Sequence, residues 1–231
     1  MLRPAPRDPF DAEPIGDLRR LSSRGMTNLG RRRVQGSVLA VCSDKQFVLR
    51  SADGQVHAIN HSSETSPAVG ATVTVSGYPE TDLFTVNFYH AIWRREGESL
   101  EPPDPAKTIG MSELFTSSLG AEYQMKFHGT AVCTTGLVIE RRQTSFTLKS
   151  GNDTLLVNAA ACPDTIKSAE PGSTVRVSGI CFMNVARWLA NDIFPLIHGV
   201  SVVLRTADDV EIVAAPPWLT TVRLLGIIPS L

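Results

Sequence analysis

The chain has 231 residues, enough for one large domain or two domains of about 100 residues each. Hydrophobic residues make up 42% of it and charged residues 19%, a composition that excludes wholesale disorder. The 22 Lys and Arg against 23 Asp and Glu give a formal net charge of −1, so the chain lacks the overall positive field of a general nucleic-acid-binding protein.

The N-terminal segment 1–33 is predicted to be an arm with a short lead-in helix over 15–21. It contains eight Arg and four acidic residues, so it is locally basic. Residues 1–7 are charged and lack an apolar run, which argues against a signal peptide. No stretch of the chain reaches the roughly 18 apolar residues of a membrane span. As written, the chain is therefore expected in the cytoplasm.

Five short strands are predicted between 34 and 95, where apolar and polar residues alternate with the period of two that indicates a sheet with one buried face. Asp53 and Gly54 form a turn signal between two of these strands. The predicted strands are residues 35–43, 46–51, 55–60, 72–76 and 86–94.

An internal repeat is the strongest signal in the sequence. The segment GATVTVSG at 70–77 matches GSTVRVSG at 172–179 at six of eight positions, with an offset of 102 residues. The segment FVLRS at 47–51 corresponds to FTLKS at 146–150. Because the matching segments occur in the same order in both halves, the chain is expected to contain two copies of one unit.

The second copy has its own five predicted strands, which are residues 129–137, 144–150, 154–159, 174–178 and 197–204. Five short strands, with a longer connection between the third and the fourth, are typical of an OB-type Greek-key barrel. Alignment of VQGS at 34–37 with FHGT at 127–130 places Gly36 and Gly129 at equivalent bends of strand one. The sequence therefore predicts a mainly β fold with short helices, built from two tandem OB-like five-stranded barrels.

The predicted domain organisation follows from the repeat and from the composition between its copies. Residues 96–105 are acidic and rich in proline, which favours an extended linker, and 111–118 is predicted to be a short amphipathic helix. The predicted units are an arm (1–33), barrel 1 (34–95), a linker with a short helix (96–126), barrel 2 (127–215) and a truncated membrane-proximal tail (216–231).

Four cysteines, Cys42, Cys133, Cys162 and Cys181, contain no CxxC pair, so zinc-ribbon and thioredoxin-type spacing is absent. Three of them lie in apolar strand-like runs, which favours buried free thiols. The repeat brings the strands of Cys133 and Cys181 together, and these two residues are the candidate disulfide.

No motif for nucleophilic catalysis, phosphate binding or metal binding is present, so we predict a protein that is not an enzyme and that has no metal site and no cofactor. His57 and His61 are four residues apart but fall on a strand and a loop, where this spacing does not build a metal site. They are interpreted as surface or turn histidines.

Arg187 and Trp188 interrupt the second barrel between its fourth and fifth strands. A cation beside a large amphipathic ring in an exposed loop is typical of ligand and partner sites, so both are predicted to bind a ligand or partner. The alternative is that the Trp closes the end of the barrel. Phe47 and Phe146 lie on the second strand of each copy and are also candidates for binding, with a place in the core as the alternative.

Nucleic acid must be considered because OB barrels commonly bind oligonucleotides. Binding of a single strand would use Phe47, Phe146 and the cluster Arg31–Arg33. Aromatic residues are only 6% of the chain, and the residues after the arm are acidic overall, which argues against nucleic acid as the partner.

The chain also resembles a known family. The residues that carry this resemblance are 14–19 at the entry, 172–181 in the second copy, 203–213 in the closing stretch, and Pro216, Pro217 and Trp218 followed by 223–225. In this order they are similar to the tandem OB-like sensor region that precedes the membrane helix of bacterial membrane-bound two-component sensor histidine kinases.

The resemblance implies a non-catalytic sensor module that binds a ligand or a partner protein, on the periplasmic side of the inner membrane in an intact receptor. Histidine kinase activity and the membrane helix would belong to a missing C-terminal part, and a dimer would be one option. The alternatives are a soluble OB-fold protein that binds single-stranded nucleic acid, and a scaffold within a larger complex.

Overall fold

The structure, a computed structural model, describes residues 8–16, 30–81, 85–115, 125–185 and 197–216. Two five-stranded β-barrels follow one another along the chain, with two short α-helices among the described residues. The predicted fold class, two tandem OB-like barrels, is confirmed.

Barrel 1 is closed by long strands that alternate between its interior and its outer surface. Strand β1 (Glu13–Pro14) runs parallel to the start of β2 and extends the sheet. The strands of the barrel itself are β2 (Arg32–Ser43), β3 (Gln46–Ser51), β4 (Val56–His61), β5 (Ala71–Thr81) and β6 (Val86–Leu100). They are hydrogen-bonded in the order β2-β3-β4-β6-β5, β5 closes on β2, and β4 and β6 are parallel.

Barrel 2 repeats this plan. Its strands are β8 (Ala131–Arg141), β9 (Ser145–Ser150), β10 (Asp153–Asn158), β11 (Thr174–Val185) and β12 (Ile197–Val203), flanked by β7 (Lys107–Thr108) and β13 (Val210–Ala214). The order β8-β9-β10-β12-β11 closes through β11 and β8, with β10 and β12 parallel. The helices are α1 (Met111–Phe115) before the barrel and α2 (Pro163–Ser168) between β10 and β11; short 3-10 turns are Pro9–Asp11, Met125–Phe127 and Ala207–Asp209.

Each barrel has its own apolar core because every second residue of a strand points inward. The core of barrel 1 contains Val34, Val38, Phe47, Leu49, Ile59, Val73, Val75 and Phe88. The core of barrel 2 contains Val132, Val138, Phe146, Leu148, Leu155, Val157, Val175, Val177, Cys181 and Val202. Burial of each large side chain stabilises the fold by about 1.5–3 kcal/mol.

A third apolar cluster joins the two barrels. Its buried members are Ala40, Cys42 and Val48 from barrel 1 and Ala131, Ile180 and Val203 from barrel 2. Two hydrogen bonds border it: Asn158 Nδ2 donates to the carbonyl of Cys42 and Arg50 Nη2 donates to the carbonyl of Gly129, both at 2.9 Å. The outer surface of β2, β3 and β4 is therefore an interface between the barrels.

The structure corrects the predicted equivalence of Gly36 and Gly129. The strand register makes Gly136 the counterpart of Gly36, since Gly36 lies opposite Val73 and Gly136 lies opposite Val175 at the matching place of the repeat. Gly129 precedes β8 with a φ of +72°, and a Cβ there would come within 2.3 Å of a Val56 methyl group. Position 129 requires a glycine because Val56 of barrel 1 leaves no space there for a side chain.

Several predicted boundaries also differ. Residues 96–100 were expected in the linker but belong to β6, whose pairing with β5 extends to Leu100. The helix expected over 111–118 is observed as Met111–Phe115, and 116–118 lie outside the described residues. Most of the helix expected over 15–21 also falls outside them.

Candidate nucleic-acid interface

The outer face of the first three strands, a common ligand face of OB barrels, is closed in barrel 1. Register places Val48 between Ala40 and Ala58 on this face. All three side chains are buried, although the opposite face of the same strands already forms the barrel core. Barrel 2 covers Ala40 and Val48 through the interface cluster, so this part of the face is not available to a ligand.

The linker covers the neighbouring part of the same face. Glu101 accepts a hydrogen bond from the Ser37 hydroxyl, and Asp104 forms a salt bridge with Arg50. A cavity of about 390 Å³ remains between linker and barrels, where Arg205 donates to the Asp104 carbonyl and is paired with the buried Asp209 carboxylate. Arg50 and Arg205, the two arginines that line this cavity, are therefore each already paired with a carboxylate.

The equivalent face of barrel 2 is open. The counterparts of Val48 and Ala58 are Thr147 and Leu156, which lie opposite each other on β9 and β10. Leu156 is 40% exposed, and Leu137 and Ile139 on β8 are 41% and 43% exposed. Lys149 is exposed opposite Leu137. This face combines apolar side chains, hydroxyls, one cation and the Glu140 carboxylate, without an aromatic ring among the described residues of β8, β9 and β10 outside the core.

Exposed aromatic rings occur instead on the β5–β6 hairpin of barrel 1. Tyr78 and Tyr89 lie directly opposite each other and are 45% and 39% exposed. The Arg31 guanidinium lies over the Tyr78 ring, 4.9 Å from its centroid. Arg31 is held there because it donates hydrogen bonds to the carbonyls of Ser76, at 3.0 Å, and His90, at 3.2 Å. Because carbonyls carry no formal charge, these bonds leave its positive charge in place.

A second cation–aromatic contact lies on the same side of barrel 1. The Arg94 guanidinium is 4.7 Å from the centroid of the Phe10 ring, and Arg33 donates to the Phe10 carbonyl at 3.5 Å. Phe10 is fixed in the 3-10 turn over β5, where the Ser76 hydroxyl donates to the carbonyl of Pro9. We call this surface the arginine–aromatic face; it comprises Phe10, Arg31, Arg33, Tyr78, Tyr89 and Arg94.

Acidic residues beside this face neutralise part of its charge. Glu13 forms a salt bridge with Arg32 at 2.9 Å. Arg94 donates to Glu96 at 2.9 Å, and this hydrogen bond is the main cause that lowers the pKa of Glu96. Exposed ion pairs of this kind are weak because solvent screens them, so a phosphate can displace a carboxylate from Arg94 at little cost.

The structure corrects the predicted roles of Phe47 and Phe146 in binding. Both are completely buried, each in the core of its barrel, and Phe47 packs against the ring of His61. The inward direction of alternate strand residues therefore excludes them as stacking platforms in this conformation. Arg187 and Trp188 lie outside the described residues, on the connection from β11 to β12.

The predicted pair Cys133 and Cys181 does not form a disulfide, and all four cysteines are free. Cys133 lies opposite Ser178, three residues before Cys181 in the register, so the two thiols point to opposite faces of the sheet. Burial raises the pKa of Cys42 and of Cys181 to about 12, which keeps both as unreactive thiols.

The two histidines expected at the surface or in turns are buried instead. His57 lies 2.8 Å from the Val86 carbonyl and 3.1 Å from the Ser51 hydroxyl. His61 lies 3.0 Å from the Ser66 hydroxyl. Within the described ranges, no group of His, Cys, Asp and Glu has the arrangement of a metal site.

Comparison with known proteins identifies no family for the chain. No protein-family model matches the chain, and no curated protein matches it. Similar solved structures include the Stn1–Ten1 complex of S. pombe (14% identity, TM-score 0.29, covering 55% of this chain and 91% of that one). Another is a Replication Protein A heterotrimer bound to ssDNA (9% identity, TM-score 0.32, covering 94% of this chain and 55% of that one).

The resemblance to sensor histidine kinases is wrong: no protein-family model supports it, and the similar structures named above are a Stn1–Ten1 complex and a Replication Protein A heterotrimer. The predicted sensor module, membrane association and periplasmic location rested on that resemblance and are wrong with it. In the part of the chain that is described, no helix is long and apolar enough to cross a membrane.

The prediction that nucleic acid is an unlikely partner is also wrong; a Replication Protein A heterotrimer bound to ssDNA is among the similar structures. The physical reason for the error is that net charge averages over the whole chain. A near-neutral protein can still carry a locally basic face, and the arginine–aromatic face of barrel 1 is one.

Proposed function

We propose that this chain binds single-stranded nucleic acid through the arginine–aromatic face of barrel 1. The observation that carries the proposal is the exposed pair of Tyr78 and Tyr89 with the Arg31 guanidinium over one of the rings. The proposal rests on these side chains and on no superposition with another protein.

The chemistry of the face suits a single strand. An unpaired base has an apolar ring that stacks on an exposed aromatic side chain, and each such stack contributes about 1–3 kcal/mol. Tyr78 and Tyr89 lie on neighbouring paired strands, so each ring can stack against one of two successive bases. Arg31 and Arg33 supply positive charge for the phosphates between them, and Arg94 adds a third guanidinium beside Phe10.

The place of the face on the barrel supports the same function. OB barrels bind oligonucleotides partly through the loop between their fourth and fifth strands. In barrel 1 these strands are β5 and β6, and both tyrosines stand on the stem of that hairpin. The corresponding connection of barrel 2 carries Arg187 and Trp188, and we propose that these two residues extend the binding surface.

The direct test is fluorescence anisotropy of labelled oligodeoxythymidine and oligouridine of about 16–30 nucleotides, long enough to cover two barrels. Tyr78→Ala and Tyr89→Ala are each expected to weaken binding by about 5-fold to 100-fold, which corresponds to the loss of one stacked base. Tyr78→Phe keeps the ring and should retain the affinity.

The arginines are tested by the salt dependence of the same binding. Arg31→Ala removes one phosphate contact and should reduce the slope of log K against log salt concentration by about 0.7. The matched control is Arg142→Ala in barrel 2, an exposed arginine paired with Glu140, which should leave affinity and slope unchanged. Absence of binding at low salt, or equal binding by wild type and Tyr78→Ala, would contradict the proposal.

A further inference from the structure

Three buried apolar residues of barrel 2 in the interface with barrel 1 lie side by side on the surface of barrel 2. Ile180 on β11 lies opposite Ala131 on β8 and opposite Val203 on β12. All three belong to the interface cluster and are buried there. We call them the docking triplet of barrel 2. The residues of barrel 1 that share this cluster on the outer face of β2 and β3 are Ala40 and Val48; Ala58, beside Val48 on β4, is also buried.

Barrel 1 has an equivalent triplet, in which Tyr78 and Tyr89 are exposed and Arg31 is half-buried. The offset of 102 residues makes Tyr78 the counterpart of Ile180, and its register partner Tyr89 is the counterpart of Val203. Arg32 lies opposite Gly77, so Arg31 stands beside Tyr78 as Ala131 stands beside Ile180. Tyrosine and arginine, the composition of this triplet, are enriched at the energetic centres of protein interfaces.

Barrel 2 has the matching face, and it is also exposed. The counterparts of Ala40, Val48 and Ala58 are Glu140, Thr147 and Leu156, which lie opposite one another across β8, β9 and β10. Leu137 and Ile139 border them as partly exposed apolar side chains. Among the described residues, the triplet of barrel 1 and this face of barrel 2 thus both expose side chains whose counterparts in the other barrel are buried.

We infer that copies of this chain associate head to tail, with the Arg31–Tyr78–Tyr89 triplet of one copy on the Glu140–Thr147–Leu156 face of the next. The contact repeats the way in which barrel 2 docks on barrel 1 within one chain. The two surfaces also carry opposite charges: the internal interface contains Ala131 and Ala40, whose counterparts are a cation, Arg31, and an anion, Glu140. Glu140 forms a salt bridge with the exposed Arg142, a weak partner that it can exchange.

The contact joins two different surfaces, so it does not close by itself, and assemblies grow with concentration. It also covers the tyrosines of the arginine–aromatic face, and a single strand that binds there competes with the next copy. The inference does not depend on nucleic-acid binding, and its test is made without nucleic acid.

The test is sedimentation velocity of the full chain over a range of concentrations. The wild type is expected to show a mean mass that increases with concentration beyond that of a dimer. Leu156→Glu removes the face but keeps the triplet, and Tyr78→Glu removes the triplet but keeps the face. Each variant alone should be monomeric, and an equimolar mixture of the two should form a dimer of one copy of each and nothing larger.

The matched control is Leu100→Glu, the same change at a residue of β6 that is 52% exposed and distant from triplet and face; it should assemble like the wild type. A wild type that stays monomeric would overturn the inference. Assembly that survives Leu156→Glu would overturn it too, as would a mixture of the two variants that stays monomeric. Leu156→Glu should still bind an oligonucleotide, so a failure of this inference is distinguishable from a failure of the proposed function.

Discussion

The two barrels have the same strand order and register, but they differ in what covers the outer face of their first three strands. In barrel 1 the linker and barrel 2 cover this face, and Val48 is completely buried on it. In barrel 2 the counterpart, Thr147, is half-buried at an open surface. Position in the tandem array, and not the strand pattern, therefore decides which copy offers a free sheet face.

The interiors of the barrels differ as well. Barrel 1 buries His57 and His61 at places where barrel 2 has Leu155 and Ala159. Each histidine brings polar atoms that need partners: the Val86 carbonyl and the Ser51 hydroxyl bond His57, and the Ser66 hydroxyl bonds Nε2 of His61, whereas Nδ1 of His61 is buried without a hydrogen-bond partner. Barrel 1 is thus the copy whose stability depends on hydrogen bonds inside its core and on its neighbour outside.

The largest expected effect comes from a charge on the covered face. Val48→Glu would bury a carboxylate between the barrels without a cationic partner, so we expect it to lower the free energy of unfolding by more than about 3 kcal/mol. Thr147→Glu, the same charge at the open counterpart, should change it by less than about 1 kcal/mol. Urea denaturation followed by tryptophan fluorescence measures both, and equal losses would mean that the two faces are equally covered.

A smaller difference in the free energy of unfolding is expected between substitutions of Gly36 and Gly136, the equivalent glycines on the first strands of the two barrels. A Cβ on Gly36 would come within 2.0 Å of the Arg50 carbonyl oxygen, so Gly36→Ala must move backbone and should cost about 2–3 kcal/mol. At Gly136 the nearest atom is the Met111 methyl carbon at 2.9 Å, the end of a flexible side chain, and Gly136→Ala should cost about 1 kcal/mol. Denaturation midpoints that fall equally, or more for Gly136→Ala, would contradict this order.

The smallest expected effect is a dependence of stability on pH that comes from barrel 1. Burial, followed by the nearby charge of Lys45, lowers the pKa of His61 below its usual value of 6.5. The unfolded chain therefore binds this proton more readily than the folded one, so the contribution is present above pH 6.5 and is lost as the pH falls towards the folded pKa.

Substitution of His61 by Asn, which does not titrate, should reduce the loss of stability between about pH 7.5 and 5.5. The matched control is His90→Asn: His90 is exposed with a φ of +48°, a conformation that Asn tolerates. The pH dependence of the denaturation midpoint should stay unchanged in this control. A pH dependence that is the same in His61→Asn and in the wild type would show that His61 is not its source.

Much of the fold can be predicted from local patterns in this sequence. The repeat of 70–77 in 172–179 and the alternation of apolar residues identify both barrels and most of their strands, because these signals are local to each strand. The pairing of Gly36 with Gly129 fails because the two glycines have different neighbours: one approaches the next strand of its own barrel, the other approaches Val56 of the opposite barrel.

The candidate site is less predictable. Arg31 is marked by its place in a basic cluster, but Tyr78 and Tyr89 are 11 positions apart in sequence and belong to no recognisable motif. They meet only because a register shift in the β5–β6 hairpin places them opposite each other. Phe47 and Phe146 are conspicuous in the repeat because they are core residues of both copies, and this is also why they cannot stack on a base.

By itself, the sequence determined the number of barrels, the approximate strands and their OB-like order, because the alternation of apolar residues and the turn residues act over a few positions. Only the tertiary structure decided which outer faces are covered, which cysteines and histidines are buried, and which arginine lies over which ring. Those properties depend on contacts between residues that are far apart in the chain, and no local pattern encodes them.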